Sequence, residues 1–200
     1  MVEPHIAPDD PVRMFFNWFQ EAKAGESIEP EAAALATVDS HGMPNVRMVL
    51  VKAFDANGLV FYTNLESAKG KELTENPKAA ACFNWKSIRR QVRVRGLVES
   101  VDVSEADAYF SSRSRDSKIG AWASKQSREL SNREELEQAV GRIDKQYPGE
   151  DVPRPPHWSG YRLRPLEIEF WQNRPSRLHE RVQFQRNDPN GLWRKTLLYP

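Results

Sequence analysis

The dipeptide Asn57-Gly58 constrains this chain more than any other feature of its sequence. It lies within "RMVLVKAFDANGLVFYTN", Arg47 to Asn64, between two β-rich runs. An Asn-Gly pair so flanked predicts a tight antiparallel hairpin. A hairpin near the front of a chain commits its neighbours to a sheet that grows strand by strand. The same stretch raises a difficulty. Arg47 and Lys52 bracket an apolar strand that belongs against a core, where an unpaired charge is costly.

Reading outward from the hairpin organises the rest. Pro11 to Ala24 places Met14, Phe15, Trp18 and Phe19 at helical spacing, with Asp9 or Asp10 as cap and Gly25 as stop. The segment from Ala32 to Asn64 predicts three strands, turning at His41-Gly42 and Asn57-Gly58. Ser67 to Glu75 predicts a short helix stopped by Asn76-Pro77. Lys78 to Trp85 and Arg90 to Val101 predict two further strands. In the second, Val92 and Val94 face one way and Gln91, Arg93 and Arg95 the other. "SEADAYFSSR" opens a helix with Ser104 as N-cap, and "DSKIGAWASKQS" supplies another. "SNREELEQAVGRIDKQY" predicts a charged, solvent-facing helix, and the proline-rich "PGEDVPRPPHWSG" a loop. Tyr161 to Gln172 returns to strand, and Arg181 to Arg186 with Leu192 to Leu198 predict a closing hairpin. The expected fold class is mainly β (α+β): an antiparallel barrel, closed or partly open, with peripheral helices. Residues 1–30 form a helical or flexible N-terminal segment in this reading, and 31–200 a single domain.

Composition excludes several functions. Cys82 is the one cysteine, so an intramolecular disulfide and a multi-thiolate metal site are both excluded. The four histidines, His5, His41, His157 and His179, are far apart and suggest no zinc site. No apolar run approaches the roughly 18 residues that span a bilayer. The N-terminus lacks the features of a signal peptide, so a cytoplasmic location is expected. A net charge of +1 gives no general attraction to nucleic acid or membrane. Basic residues nevertheless cluster locally. "WKSIRRQVRVR" carries five and no acid, and "NRPSRLHER" carries three arginines and a histidine against one glutamate. Local cationic clusters on a near-neutral protein suit a small anionic ligand.

Three groups of residues are candidates for such a ligand. Lys69 and Lys71 stand in the first turn of the helix after Ser67, where free N–H groups make a phosphate seat. Tyr109, Arg113 and Ser117 are spaced by four. A continuous helix would align them on one face as a second phosphate cradle. Arg177 and His179 alternate on a segment read as extended and so point the same way, just after the aromatic strand "IEFWQ". The plain alternative for each is a solvated surface. Together they point to two phosphorylated small molecules held side by side, one a cofactor and one a substrate.

The strings "RMVLVK", "FYTN", "KGKEL", "RQVRV", "IGAWAS", "VPRPPHW" and "RPSRLHER" occur in consistent order from about Ala32 to Arg186. In that order they resemble the pyridoxine/pyridoxamine 5′-phosphate oxidase family. The resemblance implies an FMN-binding split barrel, assembled as a homodimer with FMN at the interface. It implies oxidation of pyridoxine or pyridoxamine 5′-phosphate to pyridoxal 5′-phosphate, with O2 reduced to H2O2. The FMN contacts it implies begin with Arg47, Met48, Val49, Leu50, Val51 and Lys52. They continue through Tyr62, Thr63, Lys69, Gln91, Gln126, Ser127, Trp171 and Arg181. For the substrate it implies Lys52, Tyr109, Arg113 and Ser117 at the phosphate, and Arg177 and His179 at the reacting ring, where both are the catalytic candidates. No metal is implied. Ala68 departs from the family, which usually has arginine there, and weaker FMN retention is expected. The ending "LLYP" and Arg95 are further departures. The rival readings are a phenazine-pathway flavin oxidase of the same fold, whose kind tends to lose the phosphate set, and a non-catalytic flavin-binding split barrel.

Overall fold

The hairpin forms, but its loop lies one residue earlier than Asn57-Gly58 implies. In the computed structural model, which describes residues 10–200, strand β2 (Pro44–Asp55) and strand β3 (Gly58–Asn64) are joined by Ala56 and Asn57. The Asp55 carboxylate accepts the N–H groups of Asn57 and Gly58, at 2.7 and 3.1 Å, and so closes the turn. Gly58 then opens β3 at φ 128°, which a side chain would not tolerate.

Strands β1 (Ala32–Val38), β4 (Lys78–Trp85), β5 (Arg90–Ser100) and β6 (Trp158–Gln172) complete a sheet in the order β3-β2-β1-β4-β5-β6. The sheet closes on itself because β6 also pairs with β3. All of these pairings are antiparallel, and the result is the closed barrel expected. β6 begins at Trp158 rather than Tyr161, because Trp158 and Ser159 already pair with Asn64 and Thr63. Its far half carries a last hairpin, β7 (Glu180–Gln185) and β8 (Arg194–Leu198).

Alternation along the strands builds the core. Val92, Val94, Ile168 and Phe170 are buried, while Arg93, Arg95, Glu167 and Glu169 take the other face. Helix α1 (Pro11–Gly25) joins this core rather than standing apart. Asp10 caps it, and Phe15 stacks on Phe54 at 3.9 Å and lies edge-on to Phe83 at 5.2 Å. The alternative cap, Asp9, lies outside the described residues, as does His5.

Helix α2 (Ala68–Glu75) starts at the expected N-cap, Ser67, whose Oγ accepts from Gly70 N–H. Helix α3 (Val103–Ser111) begins before Ser104. Asp102 occupies the N-cap position, and its carbonyl accepts the first helical bond, from Ala106 N–H. Helix α4 (Arg115–Ala123) follows after a break, with Ser114 as its cap. Tyr109, Arg113 and Ser117 therefore do not share a continuous helix. Helix α5 (Arg133–Gln146) contributes no buried residue and is the charged, solvent-facing helix expected.

Gly70 fixes how closely α2 approaches the end of β3. A Cβ there would stand 2.0 Å from the Leu65 carbonyl oxygen. Gly70→Ala should therefore destabilise the fold by roughly 1–3 kcal/mol, the usual cost of overpacking. The check is a lower urea midpoint at unchanged slope, and an unchanged midpoint would refute the close approach.

Candidate active site

A cavity of about 470 Å³ opens between β2, β3, α2, α3 and α4. Met48, Val49, Leu50, Lys52, Tyr62, Thr63, Lys69 and Gln126 line it, and so do Tyr109, Arg113 and Ser117. Lys69 of the first phosphate seat and all three residues of the second thus open into one space, while Lys71 is exposed outside its lining. The helix argument for the second seat fails, yet its three residues converge, because the α3–α4 break turns the chain around the cavity wall.

Lys52 answers half of the opening difficulty. Val51 pairs with Phe61 and Ala53 with Val60, so Lys52 is an extra residue bulged out of β2. A bulge re-aims a side chain. Here it frees Lys52 from the core face and sets it at the cavity, 3.3 Å from Glu31. Arg47 is resolved differently. Its guanidinium pairs with Glu72 of α2 at 3.0 Å and donates to Thr37 Oγ1. Thr37 and Asn45 also donate to Glu72. Burial raises the Glu72 carboxyl's pKa, but these hydrogen bonds and the Arg47 charge outweigh it and hold the value low. Arg47 lies outside the cavity lining.

Lys69 has no such partner. It is 9% exposed, and its Nζ reaches only neutral oxygens: Gln126 Oε1 at 2.9 Å, Thr63 Oγ1 at 3.1 Å and Ser67 Oγ at 3.4 Å. Burial, then the nearby Arg47 charge, depresses its pKa, with Glu72 opposing. Arg113 is similar. Its Nη1 is buried without an acceptor, and its guanidinium lies 4.9 Å from the Trp158 ring centroid and 5.5 Å from that of Phe110. Burial lowers its pKa also. Among the described residues, neither cation has a carboxylate within ion-pair distance. Two half-desolvated cations on one wall call for an anion. Tyr62 and Tyr109 stack at 3.9 Å, and burial, then Glu105, pushes the Tyr62 phenol up to about 12.

A larger cavity, about 970 Å³, lies between β1, β4, β5 and β7. It holds none of the predicted site residues, and its arginines have partners, although Arg186 keeps one buried nitrogen, Nη2, without an acceptor and lies 4.2 Å from the Trp193 ring centroid. Arg95 meets Glu167, Arg194 meets Gln185, and Arg186 meets the Pro165 carbonyl.

The remaining predicted residues lie elsewhere. Val51 is buried in the barrel core, and Ser127 is exposed at φ 68° beside Gln126. Gln91, Trp171 and Arg181 are direct cross-strand neighbours on β5, β6 and β7 and so share one sheet face. Arg181 is bound to the buried Glu169, which Arg93 also contacts. His179 packs on Trp171 at 4.6 Å. The segment carrying Arg177 and His179 is not extended. Pro175–Arg177 is a 3-10 turn in which Ser176 and Arg177 both take positive φ, at 56° and 62°. Proline at its start bends the chain there, so the alternation expected of an extended strand does not apply.

Comparison with known proteins agrees with this geometry. A family model described as pyridoxamine 5′-phosphate oxidase matches residues 19–147. A second, for the pyridoxine 5′-phosphate oxidase C-terminal dimerisation region, matches 158–200. The chain belongs to the pyridoxamine 5′-phosphate oxidase family. Pyridoxine/pyridoxamine 5′-phosphate oxidases of Rhizobium etli and Maricaulis maris are 57% and 59% identical to it. Each alignment covers 96% of this chain, and 93% and 86% of the relative respectively. Among solved structures, PhzG from Burkholderia lata in complex with tetrahydrophenazine-1-carboxylic acid superposes with a TM-score of 0.90 at 35% identity, covering 98% of this chain and 95% of that one. An FMN-binding, pyridoxamine 5′-phosphate oxidase-related protein of Nostoc punctiforme superposes at 0.75 with 20% identity, covering 96% and 98%, and bears on the fold alone.

Sequence reasoning passed over Trp158, Asn64 and Ser124 on the wall of this oxidase-family cavity. Trp158 had a signal, since it ends the string "VPRPPHW". Asn64 and Ser124 had the same signal, ending "FYTN" and "IGAWAS", but their link is visible only in the structure: Asn64 Nδ2 donates to the Ser124 carbonyl and ties α4 to β3.

The depressed Lys69 pKa has a direction that can be tested. Its folded value lies below the unfolded one, so the charged amine costs stability at neutral pH, and that cost is relieved as pH rises through the folded value. An anionic ligand favours the charged form. FMN affinity should therefore fall with rising pH, beginning below the ordinary lysine range, and Lys69→Arg should move the fall upward. Dissociation constants from flavin fluorescence check this, and a flat profile through pH 10 would refute it.

Proposed function

We propose that this chain is an FMN-dependent oxidase that converts pyridoxine 5′-phosphate and pyridoxamine 5′-phosphate to pyridoxal 5′-phosphate, and that it works as a cytoplasmic homodimer. The observation that carries the reading is the single cavity on which Lys69 and Arg113, both lacking a carboxylate, open from different elements. A flavin nucleotide and a phosphorylated vitamer are two anions that would use them. Lys69, at the N-terminus of α2, holds the FMN phosphate. Met48 to Leu50, Lys52, Tyr62 and Thr63 run along the flavin, Arg47 and Val51 support that strand from behind, and Gln126 and Ser127 close over it. Arg113, Tyr109, Ser117 and Lys52 hold the substrate phosphate.

The other proposed contacts need a second chain. Tyr62 pairs with Gly160, and Trp171 lies eleven residues further along β6. At about 3.3 Å per residue that is roughly 35 Å of strand. Gln91, Trp171 and Arg181, with Arg177 and His179, therefore serve the cavity of the opposite subunit. The match of 158–200 to a dimerisation region supports this arrangement.

Bound FMN supplies the redox chemistry, accepting a hydride from C4′ of the substrate and passing the electrons to O2, which leaves as H2O2. The chain's own contribution is placement. Clamping the phosphate dianion leaves the ring few orientations, an entropic advantage for the transfer. His179 Nδ1 accepts the Arg174 N–H at 3.2 Å, so the neutral ring carries its proton on Nε2. It meets the substrate as a donor, not as a base. Arg177 brings a fixed charge to the same edge. Pyridoxamine 5′-phosphate needs one water more, which releases ammonia from the oxidised carbon.

The likeness to PhzG favours a second reading, a phenazine-pathway oxidase. Tyr109, Arg113, Ser117 and Lys52 together argue for the first, since four donors on one wall suit the oxygens of a phosphate dianion better than a single carboxylate. Purified protein should be yellow and release peroxide with either phosphorylated vitamer. Arg113→Ala should raise KM roughly 10- to 100-fold, the worth of a charge-assisted contact. Wild-type protein that binds FMN but releases no peroxide would sink the reading.

The two-chain site makes a separate prediction. Co-expressed Arg113→Ala and Arg177→Ala chains should regain roughly a quarter of wild-type turnover, because half the dimers are mixed and each carries one intact site. Mixed protein no more active than either variant alone would place both residues on one chain.

A further inference from the structure

We infer that Trp158 is a positioning residue for the substrate's phosphate, holding the Arg113 guanidinium over the cavity by stacking where no carboxylate holds it. The inference rests on the oxidase reading and deepens it.

A carboxylate can orient an arginine by bidentate hydrogen bonding. Arg113 has none. What surrounds it is aromatic: the Trp158 ring at 4.9 Å and the Phe110 ring at 5.5 Å, the two rings being edge-on to each other at 5.0 Å. Its Nη1 is buried with no hydrogen-bond acceptor, so contact with the ring faces is all that fixes that end of the fork. Guanidinium on indole is the most favourable pairing of this kind, and planar stacking is available to arginine but not to lysine.

Trp158 is itself held rigidly. It is 6% exposed, and it opens β6 opposite Asn64, where the barrel closes. Its ring lies nearly parallel to Tyr62, at 5.4 Å and 7°, and to Tyr109, at 6.2 Å and 3°. One indole thus orients both the arginine and, through Tyr62, the phenol of the proposed phosphate cradle. A carboxylate in that place would orient Arg113 equally well but would cancel its charge. An aromatic support leaves the whole positive charge for the ligand, which is a chemical reason for tryptophan here.

The test compares Trp158→Leu, Trp158→Phe and Arg113→Lys, singly and as the double variant Trp158→Leu/Arg113→Lys. Trp158→Leu should raise KM for pyridoxine 5′-phosphate about tenfold and weaken inhibition by inorganic phosphate to the same degree, with kcat within about twofold of wild type. Trp158→Phe should recover most of both. In the double variant the two effects should not add, since each removes the same stack. Urea midpoints identify any variant that has lost the fold, and Trp158→Met, longer than leucine but without an aromatic face, then stands in for Trp158→Leu. Unchanged phosphate inhibition in folded Trp158→Leu, or simple additivity in the double variant, would overturn the inference. Wild-type protein that turns over neither vitamer would instead overturn the oxidase reading. The phosphate measurement would still decide the role of Trp158: protein whose phosphate binding is lost with Arg113→Ala but not with Trp158→Leu rules it out.

Discussion

The double pairing of β6 is the constraint on which the rest of the molecule depends. One strand of 15 residues bonds to β5 along most of its length, to β3 with its first part and to β7 with its last. The first pairing to β3 closes the barrel and sets Trp158 and Gly160 against Asn64 and Tyr62. The last carries Trp171 and Arg181 far from that closure. A shorter strand would leave either an open sheet or no surface for a second subunit. The strand's length is thus what separates the two halves of each proposed site.

Charge is sorted within this frame by burial and partnership. Buried ion pairs contribute little net stability but are costly to break. Arg47–Glu72 and the Arg93–Glu169–Arg181 cluster are such pairs, and they fix the faces of the sheet. Lys69, Arg113 and Arg186 differ, with neutral oxygens or rings where carboxylates would be. The first two open into one cavity, where a ligand's charge can compensate them.

Much of this was legible in the sequence, and what was not has identifiable causes. The strands followed from alternation and turn residues, and the barrel followed from their adjacency. The hairpin loop was misplaced by one residue because the Asp55 carboxylate, not the Asn-Gly pair, closes the turn. Tyr109, Arg113 and Ser117 were grouped by a spacing argument that the Ser114 break invalidates, yet a turn brought them together where a helix was expected to. The strained turn at Ser176 and Arg177 was invisible, since neither residue type signals positive φ. Trp158 was overlooked because the prolines before it read as loop, whereas it already pairs with Asn64 in β6 and the ring geometry gives it a task.

The uncompensated Lys69 makes the empty protein electrostatically incomplete. A ligand that binds only the folded chain stabilises it by RT ln(1 + L/Kd), which grows with the free ligand concentration L relative to the dissociation constant Kd. With FMN as that ligand, the supply of one vitamin's coenzyme would set how much of the chain is held folded. Scarcity of riboflavin would then reach vitamin B6 metabolism through loss of the polypeptide itself, before any rate constant changed.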